Sequence, residues 1–172
     1  MKKIVSCLLV FCMLFSMSAT VFYASDAENL TNDAIYQYFE DGSYTVTTLS
    51  VDIIDDGISL CDAEPESYLL QAKQHVTYHD GNDNKDWVVT ITAVFLVCPA
   101  CAQSGMCQSS DLSAEIFDTS WGMYNVDERC MSNNAYGACS MKNKIFGITT
   151  KTVNIELILT CDRYGNVTVL GQ

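Results

Sequence analysis

The cysteines are the residues of this chain whose possible chemistry is easiest to state. The sequence of 172 residues contains nine of them. Cysteines pair as disulfides in an oxidising compartment, bind zinc as thiolates, or work as redox centres. Seven follow the first 24 residues, and an odd number leaves at least one thiol unpaired. These seven are Cys61, Cys98, Cys101, Cys107, Cys130, Cys139 and Cys161.

Cys98 and Cys101, separated by Pro-Ala, form the sharpest local motif. A redox pair requires a helix after the first thiol to lower its pKa, but residues 102–107 make a poor helix start. A zinc site requires a second pair of closely spaced ligands, and eight residues separate Cys130 from Cys139. We therefore predict a disulfide-pinned loop. The alternative is an exported thiol protein that uses Cys98 and Cys101 for redox exchange or zinc binding.

The pairing of the cysteines is left open by their number, because six cysteines alone allow 15 connectivities. Cys161 falls on the apolar face of a predicted strand, so we expect it to be buried. Cys61 is the possible free thiol. The expected pairs are Cys107 with Cys161, Cys130 with Cys139, and Cys98 with Cys101, the last either bridged or free.

The remaining candidates for chemistry give weaker signals. His75 and His79 share a face of a predicted strand about 13 Å apart, too far for one metal ion. The run 80–84 begins like a calcium loop, but Lys85 and Ile91 stand where that loop needs glycine and glutamate. We therefore predict a hairpin turn at 80–84. We predict no catalytic residue, no cofactor and no metal site.

The first 24 residues have the pattern of a secretory signal. Lys2 and Lys3 precede an apolar run from Ile4 to Phe15, and small residues lead to Ala24. The run is shorter than the roughly 20 residues of a bilayer span. We predict an N-terminal signal helix over 1–24 that is cleaved, which makes the protein secreted and extracellular. Disulfides persist in that compartment.

The charge balance excludes some partners. The formal net charge is -12, and such acidity disfavours non-specific nucleic-acid binding and attraction to anionic membranes. Residues 25–72 hold eleven acidic residues and no basic one. A solvated acidic face is the expected explanation, and a cationic partner is the alternative. A hydrophobic fraction of 49% argues against wholesale disorder.

Residues 25–42 form a leader before the main domain. Leu30, Ala34, Ile35 and Tyr38 have rough helical spacing, which predicts either one short helix or a mobile arm.

From residue 43 onward the pattern alternates with a period of two, which is typical of strands. Weaker strand signals lie at 114–117 and near Trp121, whereas 98–110 and 127–144 are predicted loops. The absence of a long amphipathic helix favours an all-β fold, an antiparallel β-sandwich or a small barrel, over 43–172. The clearest predicted strands are 43–54, 68–79, 87–97, 150–161 and 167–170.

Aromatic, cysteine and turn residues between about 73 and 168 show a recognisable spacing. They are Tyr78, Gly81, Trp87, Val89, Ala93, Phe95, Cys107, Ser120, Trp121, the run Leu159-Thr160-Cys161-Asp162, and Gly165-Asn166. This spacing resembles that of small secreted β-rich proteins of clostridia-type Gram-positive bacteria, a group without an established activity. The resemblance implies a bacterial protein and a bridge between Cys107 and Cys161. Cys98, Cys101, Cys130 and Cys139 would be additions to that pattern.

The spacing of Cys107, Trp121 and Cys161 also resembles an immunoglobulin domain, although Leu159 replaces the tyrosine expected before the second cysteine. We therefore predict an immunoglobulin-like sandwich with a cysteine-rich loop. The expected function is that of a non-enzymatic binding or cell-surface interaction module. Its partner would be a protein or a cell-surface component, with no nucleic acid and no stable membrane span after signal cleavage.

Overall fold

The computed structural model describes residues 20–21, 34–55, 67–101 and 105–170. Within these residues the chain forms ten β-strands and no helix. The strands are β1 (Thr20–Val21), β2 (Ile35–Tyr38), β3 (Tyr44–Asp55), β4 (Tyr68–His79), β5 (Lys85–Val97), β6 (Met106–Ile116), β7 (Trp121–Met131), β8 (Asn134–Ile145), β9 (Ile148–Cys161) and β10 (Val167–Leu170). The predicted signal peptide lies outside the described residues except for β1.

The strands make two antiparallel sheets that pack face to face. Sheet I has the order β2-β3-β4-β5-β6, and sheet II has the order β7-β8-β9-β10-β1. The predicted antiparallel sandwich is confirmed, and the described strands do not close into a barrel. The likeness to an immunoglobulin domain is one of architecture. Apart from β1 beside β10, each sheet here joins consecutive strands, whereas that domain uses Greek-key connections.

Alternation along the strands builds the core. On β4, β5, β8 and β9 every second side chain is buried, as expected for strands with one face inside. Gly137 of β8 faces sheet I, where an added Cβ would lie 3.1 Å from Ile91 Cδ1 and 3.0 Å from Leu112 Cδ1. The lack of a side chain at Gly137 therefore allows the two sheets to approach closely.

The two long sides of the sandwich differ. Along the β6–β7 side, Cys107 is bonded to Cys130, and the Leu112 N–H donates to Glu128 Oε2 at 2.9 Å. On the opposite side, the described part of β10 pairs with Ile158 to Cys161 of β9. Residues 148–157 of β9 therefore have no described strand beside them on that side.

Three predicted segments were wrong. In the leader, where a short helix or a mobile arm was expected, residues 35–38 instead form β2, which pairs with β3 in register Ile35 to Thr47. Backbone pairing with β3 outweighs a helical spacing of only four residues. The loop expected at 127–144 is the β7–β8 hairpin, and β6 begins at Met106, inside the expected loop 98–110. The other predicted strands are confirmed, including the hairpin of β4 and β5.

Candidate functional site

The cysteines pair differently from the prediction. Cys98 is bonded to Cys101, and Cys107 is bonded to Cys130 with a Cα–Cα distance of 5.7 Å. The expected bridges of Cys107 with Cys161 and of Cys130 with Cys139 are therefore wrong. A short link at 117–120 joins β6 to β7, so the start of β6 lies level with the end of β7. The predicted free thiol, Cys61, lies outside the described residues.

Cys139 and Cys161 are buried free thiols. They are far apart, because Cys139 lies opposite Ile155 whereas Cys161 ends the same strand β9. Burial raises the pKa of Cys139 to about 11. Burial, with a smaller effect of Asp162, raises the pKa of Cys161 to about 12. Thiols with pKa values this high are mostly protonated near neutral pH, which makes them poor nucleophiles.

The bonded pair Cys98 and Cys101 closes a tight turn directly after β5, with the Cys101 N–H donating to the Cys98 carbonyl at 3.0 Å. A redox-active pair of this spacing relies on a helix N-terminus to stabilise the first thiolate. No helix follows the pair within the described part of the chain. The arrangement matches the predicted disulfide-pinned loop.

The two histidines have structural partners. His75 Nδ1 lies 2.8 Å from Thr90 Oγ1, and burial, followed by the charge of Lys73, lowers the pKa of His75. The ring of His79 stacks on Tyr44 with centroids 4.7 Å apart. Across the described residues, no group of three or more His, Cys, Asp or Glu side chains is placed to hold a metal ion.

The turn at 80–84 is stabilised by hydrogen bonds between its own residues. Asp80 Oδ1 accepts the backbone N–H groups of Asn82 and Asn84, each at 2.8 Å. Hydrogen bonds from Asn84, side chain first, lower the pKa of Asp80 to about 2. The carboxylate thus organises a hairpin turn, as predicted, rather than a calcium loop.

An exposed cluster of rings covers one corner of the outer face of sheet I. We call Tyr36, Tyr38, Tyr44 and His79 the aromatic patch. Tyr38, Tyr44 and His79 stand side by side on β2, β3 and β4. Tyr36 and Tyr38 are 55% and 71% exposed, and their rings stack at 6.4 Å. The Tyr44 hydroxyl donates to Asp83, which fixes its ring. Sequence reasoning missed this patch, because a leader at 25–42, whether a short helix or a mobile arm, separated Tyr36 and Tyr38 from Tyr44.

A cleft of about 270 Å³ opens where β9 lacks a neighbour. Its walls are the inner face of β3, the end of β2 and the free side of β9. They combine hydroxyl, amide and apolar groups, so the cleft has no single chemical character. The lining residues are Gln37, Phe39, Thr45, Thr47, Val76, Thr152, Val153, Asn154 and Ile155.

Lys151 lies near the cleft and binds three oxygens. Its Nζ donates to Asp41 Oδ2 at 2.5 Å, to Ser43 Oγ at 2.8 Å and to the Tyr78 hydroxyl at 2.6 Å. Burial opposes the charge, but the hydrogen bonds to Asp41 and Tyr78 raise the pKa of Lys151. All three ammonium protons are used within the fold, which makes this group a structural tie between the sheets.

The β8–β9 hairpin ends in an apolar tip. Phe146 and Gly147 form its two-residue turn, with φ angles of 51° and 80°. Phe146 is fully exposed, and the flanking Ile145 and Ile148 are 52% and 70% exposed. The Ile-Phe-Gly-Ile run is a readable signal, since glycine between alternating residues marks a tight turn, but this turn was not among the predicted elements.

Comparisons with known proteins give little more. No family model matches this chain, and no curated protein matches it. A crystal structure of the hypothetical protein lmo2686 from Listeria monocytogenes EGD-e is similar over 82% of this chain and 95% of that one, with a TM-score of 0.40 and 11% identity. Among the described residues, no helix is long and apolar enough to cross a membrane. The case for a function therefore rests on the residues of this chain.

Proposed function

We propose that this chain is a secreted, disulfide-stabilised module of a Gram-positive bacterium that binds a protein or cell-surface partner and catalyses no reaction. The signal-like N-terminus supports secretion. The bonded pairs Cys98–Cys101 and Cys107–Cys130 fit an oxidising compartment outside the cytoplasm. The group of clostridia-type secreted proteins that the sequence resembles supports the bacterial origin.

The aromatic patch is the observation that carries the binding role. Its rings lie on the solvent side of sheet I, so they add nothing to the core between the sheets. Tyrosine combines a large apolar ring with a hydrogen-bonding hydroxyl, and it is enriched at binding surfaces. Contacts with Asp83 and His79 restrict the Tyr44 side chain. Binding a partner therefore costs less side-chain conformational entropy.

The patch can be tested with intact Gram-positive cells and purified cell-wall sacculi as the binding targets. We expect saturable binding of the labelled secreted protein and at least a tenfold loss of affinity in Tyr36→Ser/Tyr38→Ser. Tyr164→Ser is the matched control, because Tyr164 is also 55% exposed but lies beyond β9 at the other end of the molecule. Absence of saturable binding, or equal affinity of the double variant, would contradict the proposal.

The alternative function rests on the Cys98–Cys101 pair. An exported thiol protein would reduce insulin disulfides after its own pair had been reduced, or would retain zinc through dialysis. Catalytic turnover or bound zinc that disappears in Cys98→Ser/Cys101→Ser would replace the binding role as the primary function. We expect neither, because this pair closes a turn and no described helix activates it.

A further inference from the structure

The apolar tip of the β8–β9 hairpin is the exposed feature that the fold explains least. Phe146 is 101% exposed, and Ile145 and Ile148 beside it are more than half exposed. Isolated apolar side chains on a surface are ordinary, but three large ones at the end of one protruding turn form a contiguous patch. A contiguous exposed patch of this kind marks a binding surface.

The backbone conformation at position 146 is unfavourable for phenylalanine. Phe146 has a φ of 51°, a left-handed conformation that is unfavourable for a bulky side chain. Two-residue turns with both φ angles positive favour Asn-Gly or Asp-Gly. Phe146 therefore weakens the turn and buries nothing in return, so its role lies outside the fold.

The base of the same hairpin is positively charged. Lys144 Nζ lies 4.2 Å from the ring centre of Tyr124 and donates to its hydroxyl at 3.0 Å, and Lys142 Nζ lies 5.5 Å from that ring. Among the described residues, no carboxylate oxygen lies within 4.0 Å of either ammonium, whereas Lys151 is paired with Asp41. Within the described residues, two lysines that form no ion pair thus stand behind the apolar tip of a protein that is acidic overall.

We propose that the β8–β9 hairpin docks on the surface of an anionic phospholipid bilayer. Phe146, Ile145 and Ile148 enter the boundary between headgroups and acyl chains, and Lys142 and Lys144 contact headgroup phosphates. The tip extends one to two residues beyond Lys144, roughly 3–7 Å, which suits insertion of about 5–10 Å.

Charge complementarity favours an anionic bilayer as the partner of the β8–β9 hairpin. Lysines close to a membrane surface are attracted by anionic lipids, and the tip in front of them is wholly apolar. The acidic turn at 80–84 belongs to sheet I, so the molecule would approach with sheet II tilted towards the lipid. The net charge of -12 predicts repulsion from anionic membranes, but it averages over the whole surface and hides the opposite sign of this hairpin.

The test is co-sedimentation of the secreted chain with large unilamellar vesicles of phosphatidylcholine, with or without phosphatidylglycerol. We expect binding to the mixed vesicles and at least tenfold weaker binding to phosphatidylcholine alone. Phe146→Asn should lose at least tenfold in vesicle affinity while its melting temperature stays the same or rises, because asparagine suits the turn. Lys142→Gln/Lys144→Gln should remove the preference for phosphatidylglycerol.

Two further variants sharpen the result. Phe146→Trp should bind like the wild type, with a blue-shifted emission that lipid-borne quenchers reduce. Tyr164→Ser, at the other end of the sandwich, should bind unchanged. The proposal fails if the wild type does not sediment with mixed vesicles, or if Phe146→Asn binds them as tightly. Loss of cell binding by Phe146→Asn without any vesicle binding would assign the tip to a protein partner and overturn the lipid proposal.

Discussion

The indole N–H of Trp121 donates a 2.9 Å hydrogen bond to the carboxylate of Asp86, and this contact joins the two sheets. Trp121 begins β7 in sheet II, and Asp86 lies in β5 of sheet I with 8% of its surface exposed. The Asp86 carbonyl also accepts the N–H groups of Phe117 and Asp118. Asp86 therefore fixes two features: its carbonyl binds the link between the sheets, and its carboxylate binds the indole of Trp121.

Replacement of Asp86 should separate the role of its acceptor oxygen from that of its charge. Asp86→Ala leaves the Trp121 N–H buried without a partner, which we expect to lower the free energy of unfolding by about 1–3 kcal/mol. Asp86→Asn keeps an acceptor and removes a carboxylate whose pKa burial raises, so its loss should be smaller. Urea denaturation at pH 7 measures the difference, and equal losses in both variants would contradict the assigned hydrogen bond.

Asp41 should make the protein less stable in acid. Its hydrogen bond from Lys151, followed by that from Ser43, lowers its pKa from 3.8 to about 2. Because the folded pKa lies below the unfolded one, this contribution is present above about pH 4 and is lost between pH 4 and 2. Asp41 is 55% exposed, so solvent screening limits the effect to less than about 1 kcal/mol.

The measurement for Asp41 is a series of urea midpoints from pH 2 to pH 5 for the wild type and Asp41→Asn. The difference in urea midpoint between the wild type and Asp41→Asn should shrink as the pH falls from 4 to 2. Asp80 has a lowered pKa as well, but it is present in both proteins and cancels in the difference. A gap that stays constant over this range would show that the Lys151 contact adds no stability.

Alternation made the central strands predictable from the sequence. On β9, Val153, Ile155 and Leu157 are buried, as predicted for one apolar face. On β8 two of the inward residues, Ala135 and Gly137, carry too little apolar surface to reveal the period. Their burial depends on side chains from sheet I, which no local pattern can show.

The sites were less predictable than the fold. The pairing of Cys107 depends on which strand lies beside β6, a property of the topology rather than of residue spacing. The aromatic patch needs three strands to bring Tyr38, Tyr44 and His79 together, so it exists only after the sheet forms. The hairpin tip, by contrast, is local, and the run around Phe146 predicts it.

Replacement of the core residue Gln74 by an apolar residue should stabilise the protein. It is completely buried on the inner face of β4, and neither amide atom has a hydrogen-bond partner among the described residues. Burial of an unpaired amide is unfavourable by about 1–3 kcal/mol. Gln74→Met keeps the length of the side chain and should raise the free energy of unfolding by about 1–2 kcal/mol.

Guanidinium denaturation of Gln74→Met against the wild type checks this expectation. Gln74→Glu serves as the opposite control, because it buries a charge in the same volume and should destabilise strongly. A loss of stability in the methionine variant would mean that the amide has a partner, such as an internal water molecule.

The disulfide pattern predicts which thiols react. Alkylation of the native protein without reduction should leave Cys139 and Cys161 unlabelled, and peptide mapping should find Cys107 linked to Cys130. Removal of that bridge in Cys107→Ser/Cys130→Ser should lower the free energy of unfolding by about 2–4 kcal/mol, more than Cys98→Ser/Cys101→Ser, because it closes a longer loop. A Cys107–Cys161 peptide would overturn the assignment.

The consecutive order of strands in each sheet shapes how the chain folds. Apart from the pair of β1 with β10, every strand pairs with its neighbour in sequence. Such local contacts favour faster folding than the distant pairings of a Greek-key sandwich. During synthesis, β2 to β6 emerge before sheet II exists, with the inner side chains of β4 and β5 still in water. We therefore expect the late step to be the docking of two halves that the short link at 117–120 holds together, with the Cys107–Cys130 bond securing the docked pair.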